Sequence, residues 1–414
     1  MARTDAMVLG AGIVGTSIAL HLVRRGLHVA LVDRRGPGEE TSYGNAGVIG
    51  TTVYPASFPR DLGGLLRAAL KRTTAANYHV GALPRVLPWL LAFRAASTPQ
   101  RRAETARLMR PLMARTVAEH EALLAESGAT RYLRRDGFIT LYRSERALAD
   151  LAGELALAAE LGVATRRHDP EGVRELEPHL APVFRTAVHW SDVASVSNPL
   201  AVTRAYAARF ADLGGLTLEA DARSLHRATG HWRVDTTEGP VDAEQAVIAL
   251  GPWAPDVLVP RGIRLPLAVK RGYHRHFAQR GNATLVRPVI DTENGYALAP
   301  MEQGIRLTSG AEFAARDAPP TPVQLRRLAP IAGELLPLGE PVEPEPWMGS
   351  RPCFADSRPV IGRAPGQPGL WLAVGHGHLG LTLGPVTARL IAEMMTGSTP
   401  LCDPAPFAAE RFLD

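Results

Sequence analysis

Three glycines near the start of the chain have the spacing that a phosphate-binding turn needs. They are Gly10, Gly12 and Gly15, and Asp33 follows eighteen residues after the last of them. The first glycine allows a tight turn, the second lets the backbone approach a pyrophosphate, and the third lets a helix pack closely on a strand. A carboxylate at the spacing of Asp33 can accept hydrogen bonds from ribose hydroxyls. The pattern therefore predicts a bound adenine dinucleotide.

For that role the turn must join a strand to a helix, and the neighbouring sequence predicts both. Apolar residues 6–9 precede the turn, amphipathic residues 16–25 follow it, and apolar residues 29–32 lead to Asp33. The helix would present free N–H groups and its positive dipole end to the phosphates. The motif alone does not separate FAD from NAD. Its predicted cofactor-binding residues are Gly10, Ala11, Gly12, Ile13, Val14, Gly15 and Asp33.

A stretch of small and polar residues follows this unit. Residues 40–49 read ETSYGNAGVI, and Arg34 lies shortly before them. Small residues let a backbone run close against a ligand, so we predict cofactor contacts here, with an ordinary surface loop as the alternative. The predicted residues are Arg34, Thr41, Ser42, Asn45, Ala46, Gly47 and Val48.

Several motifs, in order along the chain, resemble one known family. They are GAGIVG and ETSYGNAGVI near the N-terminus, VIALGPWAP in the middle, and WMGSRPCFADSRPVIG and LWLAVGHGHLGLTL near the C-terminus. Together they resemble the D-amino-acid dehydrogenase branch of the FAD-dependent amino-acid oxidoreductases, the glycine oxidase-like (DAO) family. The resemblance covers most of the chain, and it is more specific to the superfamily than to a substrate.

The resemblance implies an enzyme that uses FAD to oxidise a small amino acid, foremost a D-amino acid. A hydride would pass from the α-carbon to the flavin, and the released imine would hydrolyse to a 2-oxo acid and ammonia. The electrons would go on to a quinone or to oxygen. The segment around Cys353 lacks the cysteine pattern of covalent attachment, so we expect non-covalent FAD. The further cofactor residues implied are Arg223 (through its backbone), Gly251, Trp253, Gly377, His378, Leu379, Gly380, Leu381 and Thr382.

Other activities stay open at this point. Within the same enzyme class, the alternatives are a D-proline or D-hydroxyproline dehydrogenase and a glycine or sarcosine oxidase. From another class, the alternative is a non-catalytic FAD-binding relay subunit of a larger complex, which would need no group to hold a substrate carboxylate.

The resemblance also assigns residues to the substrate. Arg351 is the predicted clamp for its carboxylate, because a guanidinium can form two parallel hydrogen bonds with a carboxylate. Tyr296 resembles the family tyrosine that hydrogen-bonds the same carboxylate, with a core tyrosine as the alternative. Tyr273, His274 and His378 are predicted to line the substrate cleft, and packed strand residues are the alternative for Tyr273 and His274.

We expect no metal site. His376 and His378 form a His-x-His pair, but the sequence offers no evident third ligand. The two cysteines, Cys353 and Cys402, lie far apart and form neither a disulfide framework nor a metal-spacing cluster. Such cysteine usage suits a reducing compartment, and with no secretory signal visible we expect a cytoplasmic location.

Length and pattern predict a mixed α/β fold with two discontinuous domains. A Rossmann-like FAD-binding domain would comprise residues 1–58, 190–262 and 352–414. An inserted substrate domain of antiparallel sheet and helices would comprise residues 59–189 and 263–351. The chain of 414 residues, 46% of them hydrophobic, can bury cores of that size.

The charge pattern bears on partners. The net charge is +5, but basic helices with interleaved aromatic residues are missing, so we expect no nucleic-acid partner. The basic and leucine-rich segment 62–93 reads as core helices, with peripheral contact with the inner membrane as the alternative. The expected partners are thus a small amino acid and the electron acceptor, and the sequence sets no oligomeric state.

Overall fold

The computed structural model describes residues 2–51, 58, 62–149 and 151–413. Within them the strands are β1 (Ala2–Leu9), β2 (Val29–Asp33), β3 (Val48–Ile49), β4 (Ala76–Tyr78), β5 (Leu133–Arg134), β6 (Phe138–Tyr142), β7 (Thr165–His168), β8 (Thr186–Trp190), β9 (Ala194–Val196), β10 (Leu216–Glu219), β11 (His226–Arg227), β12 (Trp232–Thr236), β13 (Gly239–Ile248), β14 (Ala268–Gln279), β15 (Val289–Asp291), β16 (Tyr296–Met301), β17 (Gly304–Thr308), β18 (Ala311–Phe313), β19 (Leu338–Pro341), β20 (Trp347–Cys353), β21 (Val360–Arg363) and β22 (Leu370–Val374). The α-helices are α1 (Ile13–Val23), α2 (Leu62–Ala69), α3 (Leu83–Ala96), α4 (Pro99–Met113), α5 (Thr116–Glu126), α6 (Glu145–Leu148), α7 (Leu151–Glu160), α8 (Pro170–Leu176), α9 (Pro199–Asp212), α10 (Ala254–Leu258), α11 (Val323–Leu335) and α12 (Gly380–Met395).

An eight-stranded sheet carries the N-terminal unit. Its described strands run in the order β10-β2-β1-β13-β12-β11, with β22 paired to β13 and β21 paired to β22. Strands β10, β2, β1, β13 and β22 are parallel to their neighbours in this group, which confirms the predicted strand–turn–helix–strand arrangement. Helices α1 and α12 share one buried core on this sheet, and Gly384 lies against Ile13. Both helix N-termini therefore lie near the carboxyl ends of the parallel strands.

An eleven-stranded, largely antiparallel sheet forms the second layer. Its described strands run β4-β18-β14-β17-β16-β15-β6-β8-β7, and β19 and β20 also pair with β14. One face packs on α11 through residues such as Leu298, Leu307 and Leu328, and we call it the helix face. The other, which we call the cavity face, carries Ala297 and Thr308. A small sheet, β3-β9-β5, lies beside these two. The predicted mixed α/β fold is confirmed.

Two helices begin at side-chain caps. The side chain of Asp169 accepts a hydrogen bond from the Gly172 N–H, and that of Asn198 accepts one from the Ala201 N–H. Each is followed by proline in the first turn, where a missing N–H costs nothing.

Residues 99–126 form two successive helices, α4 and α5. Pro111 lies inside α4 without ending it. The helix ends at Met113, and α5 begins at Thr116. The Thr116 hydroxyl bonds the carbonyls of Gly50 and Met113 at this junction. No helix in the described part of the chain is long and apolar enough to cross a membrane.

Candidate active site

A cavity of about 780 Å³ lies between the carboxyl ends of the parallel strands and the cavity face of the second sheet. Among the predicted site residues, those that line it are Gly10, Gly12, Ile13, Val14, Asp33, Arg34, Thr41, Ser42, Asn45, Ala46, Val48, Arg223, Gly251, Trp253, Tyr273, Tyr296, Arg351, Gly377, His378, Leu379, Gly380, Leu381 and Thr382. The predicted residues outside its lining are Ala11, Gly15, Gly47 and His274. Residues from distant parts of the sequence thus meet around one space.

The glycine turn has the geometry that its spacing predicts. Gly10 has φ +108°, and a Cβ there would lie 2.5 Å from the Ala249 carbonyl oxygen. A Cβ on Gly15 would lie 1.8 Å from the Gly10 carbonyl oxygen, so any side chain would push α1 off the turn. At Gly12 a Cβ would meet the Ser42 hydroxyl at 3.2 Å, on the cavity side. The backbone at Gly10 and Gly12 therefore has no side chain where a phosphate would approach.

Asp33 closes this end of the cavity. One carboxylate oxygen accepts a 2.6 Å hydrogen bond from the Ala11 N–H, and the other accepts one from the Arg35 N–H. Ala11 thus contributes through its backbone although it does not line the cavity. Burial raises the pKa of the Asp33 carboxyl, and the backbone hydrogen bonds oppose that rise. The remaining lone pairs of the Asp33 carboxylate can accept hydrogen bonds from two hydroxyl groups, which fits a ribose diol.

The loop of residues 41–48 is fixed at several points. The Ser42 hydroxyl accepts the Ile13 N–H at 3.0 Å, and Thr41 donates to the Ser350 carbonyl. Asn45 donates to the His378 carbonyl at 3.1 Å. The loop therefore connects the first turn of α1 to β20 and to the loop before α12. Gly47 has φ +77° and packs against the backbone of Val196, since a Cβ there would lie 2.3 Å from the Val196 carbonyl oxygen.

Helix α12 gives the cavity a second helix N-terminus. Gly380, Leu381 and Thr382 of its first turn line the cavity, and the Thr382 hydroxyl donates to the Val48 carbonyl. Helix N-termini favour negative charge, so this end of the cavity suits an anion or a group that gains negative charge.

The cavity lining around Trp253 is aromatic and charged. The Arg34 guanidinium lies 4.5 Å above the centre of the Trp253 ring, and Arg316 lies 5.7 Å from it. Arg223 lines the cavity and its side chain is bound to the Asp221 carboxylate, while the cofactor contact of its backbone stays a prediction.

Arg351 lies on β20 and borders the cavity next to β14. Its Nη1 and Nη2 donate to the carbonyls of Gly310 and Ser309 at 3.1 and 3.3 Å. A guanidinium has five N–H groups, so donors remain for a carboxylate. Lys270 is the cross-strand partner of Arg351, and burial lowers the pKa of both side chains. The guanidinium fits because Gly272 has no side chain: a Cβ there would lie 2.2 Å from Nη2.

Tyr296 lines the cavity, and its hydroxyl has a protein partner. The hydroxyl lies 3.4 Å from Arg143 Nη2, and Arg143 in turn binds the buried Asp291 carboxylate. Its ring also packs in the apolar core under the helix face, whereas the next residue, Ala297, pairs with Thr308 on the cavity face. The contact of Tyr296 with a substrate carboxylate stays a prediction.

Tyr273 and His274 lie differently with respect to the cavity. Tyr273 lines it, and its hydroxyl donates to the Glu312 carboxylate at 2.6 Å under the helix face. His274 lies outside the lining, is 2% exposed and stacks on Trp347 at a centroid distance of 4.9 Å. The alternative of a packed strand residue therefore describes His274, and contact of Tyr273 with a substrate stays a prediction.

The His-x-His pair is divided between two environments. His376 is buried, and its Nε2 lies 3.1 Å from the Thr387 hydroxyl. His378 lines the cavity and is exposed. Desolvation lowers the pKa of both rings to about 4, and the charges of Arg351 and Lys270 add to the effect at His378. Among the described residues, no three His, Cys, Asp or Glu side chains form a group that could hold a metal ion.

Sequence reasoning missed part of the lining. The cavity continues past Arg351 along the second sheet, where the additional residues are Phe138, Thr140, Glu154, Trp190, Val193, Ile290, Ala297, Thr308 and Trp347. Alternation in strand residues 137–142 was visible, but nothing in the sequence shows which face a ligand would occupy.

A model of the FAD-dependent oxidoreductases, the DAO family, matches residues 5–394. The chain belongs to this family. It is 30% identical to a D-amino acid dehydrogenase of Chromohalobacter salexigens over 99% of both chains, and 27% identical to a glycine oxidase of Pseudomonas aeruginosa over 97% of both. Its fold matches the crystal structure of glycine oxidase from Geobacillus kaustophilus with a TM-score of 0.76, at 24% identity over 99% of both chains.

The site fits the FAD that this family requires. The bare turn at Gly10 and Gly12 and the N-terminus of α1 suit a pyrophosphate, and Asp33 suits a ribose. Residues 41–48 and the first turn of α12 would hold the remainder of the cofactor. Cys353 is 7% exposed and does not line the cavity, and burial raises the pKa of its thiol. Non-covalent attachment stays a prediction.

Proposed function

We propose that this FAD-dependent oxidoreductase oxidises a small amino acid, foremost a D-amino acid, at its α-carbon. The observation that supports the proposal is the position of Arg351, which borders the cavity beside Gly272 and has guanidinium N–H donors that no acceptor in the described part of the chain uses. A carboxylate is the group that such a fork binds best. The names of the relatives, D-amino acid dehydrogenase and glycine oxidase, support the same substrate class.

The proposed roles of the protein are binding and orientation. When bound, FAD supplies the hydride acceptor. Arg351 would hold the carboxylate and so fix the direction in which the α-hydrogen points, which is positioning rather than acid–base work. His378, with its pKa lowered to about 4, is neutral at pH 7 and adds no positive charge beside the substrate amine. We keep the quinone and oxygen alternatives for the final acceptor.

An anaerobic flavin-bleaching panel tests the proposal. The purified holoenzyme is mixed in turn with D- and L-amino acids, D- and L-proline, the hydroxyprolines, glycine and sarcosine, and the flavin absorbance is recorded. We expect D-amino acids to bleach the flavin. Bleaching by proline, glycine or sarcosine alone would favour the alternative enzymes, and no bleaching by any member would favour a relay subunit. Admission of air then shows whether oxygen reoxidises the flavin.

We also propose the two-domain division given by the sequence, residues 1–58, 190–262 and 352–414 against residues 59–189 and 263–351. The sheet memberships support it, since the eight-stranded sheet draws its strands from the first set and the eleven-stranded sheet draws nearly all of its strands from the second.

Peripheral contact with an anionic membrane surface is a further proposal. Half of the ten large apolar residues exposed in the described chain lie within residues 66–91, where Leu66, Leu70, Val80, Leu87 and Leu91 are each more than half exposed. Residues 62–103 also carry seven Lys or Arg side chains and no acid. Apolar side chains beside positive charge suit a lipid interface. Co-sedimentation of the protein with anionic vesicles would support the contact if Leu91→Glu abolishes it. If the same amount of protein sediments with and without vesicles, the contact is rejected.

A further inference from the structure

One loop of the second sheet reaches the part of the cavity around Trp253. We call residues 314–322, which connect β18 to α11, the strap. Its turn, residues 315–318, is closed by a backbone hydrogen bond of 3.1 Å. Arg316 and Asp317 lie in this turn and line the cavity. Strand β18 belongs to the eleven-stranded sheet, whereas Trp253 follows β13 of the eight-stranded sheet, so the strap crosses from one sheet to the other.

The base of the strap is held by a buried arginine of β14. Arg271 is 0% exposed, and its Nε donates to the buried Glu312 carboxylate at 2.8 Å. Its Nη2 donates to the Pro319 carbonyl at 3.0 Å, and its Nη1 donates to the Ala318 carbonyl. Three of the last four residues of the strap are prolines, whose rings fix φ. These contacts hold the strap in place independently of a ligand.

The turn of the strap is joined to the opposite wall by Arg316. Its Nη1 donates to the Asp256 carboxylate at 3.0 Å and to the Pro252 carbonyl at 3.3 Å. Its guanidinium carbon lies 5.7 Å from the centre of the Trp253 ring. The Asp317 carboxylate accepts hydrogen bonds from Nε and Nη2, both at 3.1 Å, and so orients the guanidinium plane. One arginine therefore connects the strap to the turn before α10 and to α10 itself.

Asp33 locates the strap with respect to the cofactor. The glycine turn suits the pyrophosphate and Asp33 suits the ribose, so the adenine on that ribose would lie against the lining that adjoins Asp33. This lining comprises Arg34, the next residue, and residues 220–223, which are hydrogen-bonded to the Asp33 carbonyl at 3.0 Å. The Arg34 guanidinium lies 4.5 Å above the same Trp253 ring that Arg316 approaches. The turn of the strap thus lies at the adenosine end of the FAD site.

We propose that the strap closes the adenosine end of the FAD site, and that Arg316, through its bridge to Asp256, is a positioning residue for the cofactor. The second sheet then serves cofactor binding as well as the substrate part of the cavity. A bound adenosine would lie between the strap and the eight-stranded sheet. The bridge between Arg316 and Asp256 would have to open before FAD leaves, so it acts on the rate of FAD release.

The first test measures the rate at which the diluted holoenzyme releases FAD, recorded as flavin fluorescence. Arg316→Met should raise this rate by about 3- to 10-fold, because it removes the ion pair and the contact with the Trp253 ring. Arg316→Lys keeps the charge and should restore part of the slow release. Arg185→Met is the matched control, since Arg185 pairs with Glu145 at 2.9 Å and lies outside the cavity lining. Equal release rates in wild type and Arg316→Met would overturn the inference.

The second test separates the bridge from other effects of the two residues. Asp256→Asn should also speed FAD release, and the double variant with Arg316→Met should release FAD no faster than the faster single variant, since both changes remove one bridge. Multiplying effects would show that the two residues act separately and would reject the bridge. The visible spectrum of the bound flavin should stay the same in every variant. A shifted spectrum would mean that the strap acts at the flavin end, which contradicts the inference.

Discussion

At the scale of single residues, the proposed substrate binding depends on Arg351. Arg351→Ala removes the guanidinium donors that face the cavity, while the contacts of residues 10–15, 33 and 41–48 stay in place. With about 1.5–3 kcal/mol for each hydrogen bond to a charged group, we expect kcat/KM to fall by about 10²- to 10⁴-fold. FAD content, measured from the visible spectrum, should not change. Arg351→Lys should recover part of the activity, and turnover unaffected by Arg351→Ala would contradict the role.

Gly272 offers a finer test of the same group. Its missing side chain makes room for Arg351 Nη2, since a Cβ there would lie 2.2 Å from that atom. Gly272→Ala should displace the guanidinium, so that KM rises by about tenfold or more while the FAD content is kept. Gly333→Ala is a suitable control, because a Cβ on that helical glycine meets nothing within 4 Å. Equal KM values in Gly272→Ala and wild type would show that Arg351 lies elsewhere in the working enzyme.

Residue-level prediction from the sequence succeeded where roles depend on local backbone. The glycines of the turn and Asp33 lie as predicted because a few neighbouring residues determine their positions. Tyr296 shows the limit. A period-two pattern tells which residues share a face, but it does not tell which face meets the cavity, and that depends on sheet order. The contact of the Tyr296 hydroxyl with Arg143 depends on that order and could not be read from the pattern.

At the scale of elements, a buried chain of side chains holds the loop of residues 41–48. Arg306, 1% exposed on β17, donates to the carbonyls of Tyr43 and Asn45, and its Nε donates to His276 Nε2 at 2.9 Å. His276 Nε2 is therefore an acceptor, and its Nδ1 carries the proton that goes to the Glu343 carboxylate. Burial and Arg306 lower the pKa of His276, in keeping with a neutral ring.

Arg306→Met should therefore loosen the cofactor loop. The two carbonyls lose their donor, so we expect the Kd of FAD to rise by about 10- to 100-fold, measured by fluorescence titration of the apoprotein. Arg275→Met is the matched control, since Arg275 donates to the carbonyls of Glu343 and Pro344 and not to the loop. If both variants lower Tm alike and neither changes the Kd of FAD, Arg306 stabilises the sheet and does not position the loop.

Elements with local determinants were the ones that the sequence predicted well. The N-terminal unit, the caps at Asp169 and Asn198, and α11 follow from periodicity, cap residues and proline positions. The order of the eleven-stranded sheet does not, because β14 pairs with strands from four later parts of the chain. Those pairings decide which strand residues line the cavity along the second sheet, so that part of the lining could not be predicted from the sequence.

At the scale of the whole molecule, the cavity lies between two sheets, and several buried histidines lie in the packing around it. Burial lowers the pKa of His21 to about 3 and those of His120 and His376 to about 4. His120 joins α5 to the first turn of α12 through the Leu381 carbonyl at 2.7 Å, and His376 lies in the loop before that helix. Folding thus requires these rings to be neutral.

This requirement makes the free energy of unfolding depend on pH. Below about pH 6.5 the unfolded chain protonates these histidines, whereas the folded chain does not until about pH 4, so the unfolded state binds more protons. Stability should be full above pH 6.5 and should fall between pH 6.5 and pH 4, by up to about 1.4 kcal/mol per pH unit for each histidine. His120→Gln keeps a donor for Leu381 without titrating, so it should reduce the slope by about one proton, measured by urea unfolding of the holoenzyme at several pH values. If His120→Gln leaves the slope unchanged, His120 has the same pKa in the folded and unfolded states. That result would contradict a neutral His120 ring between α5 and α12.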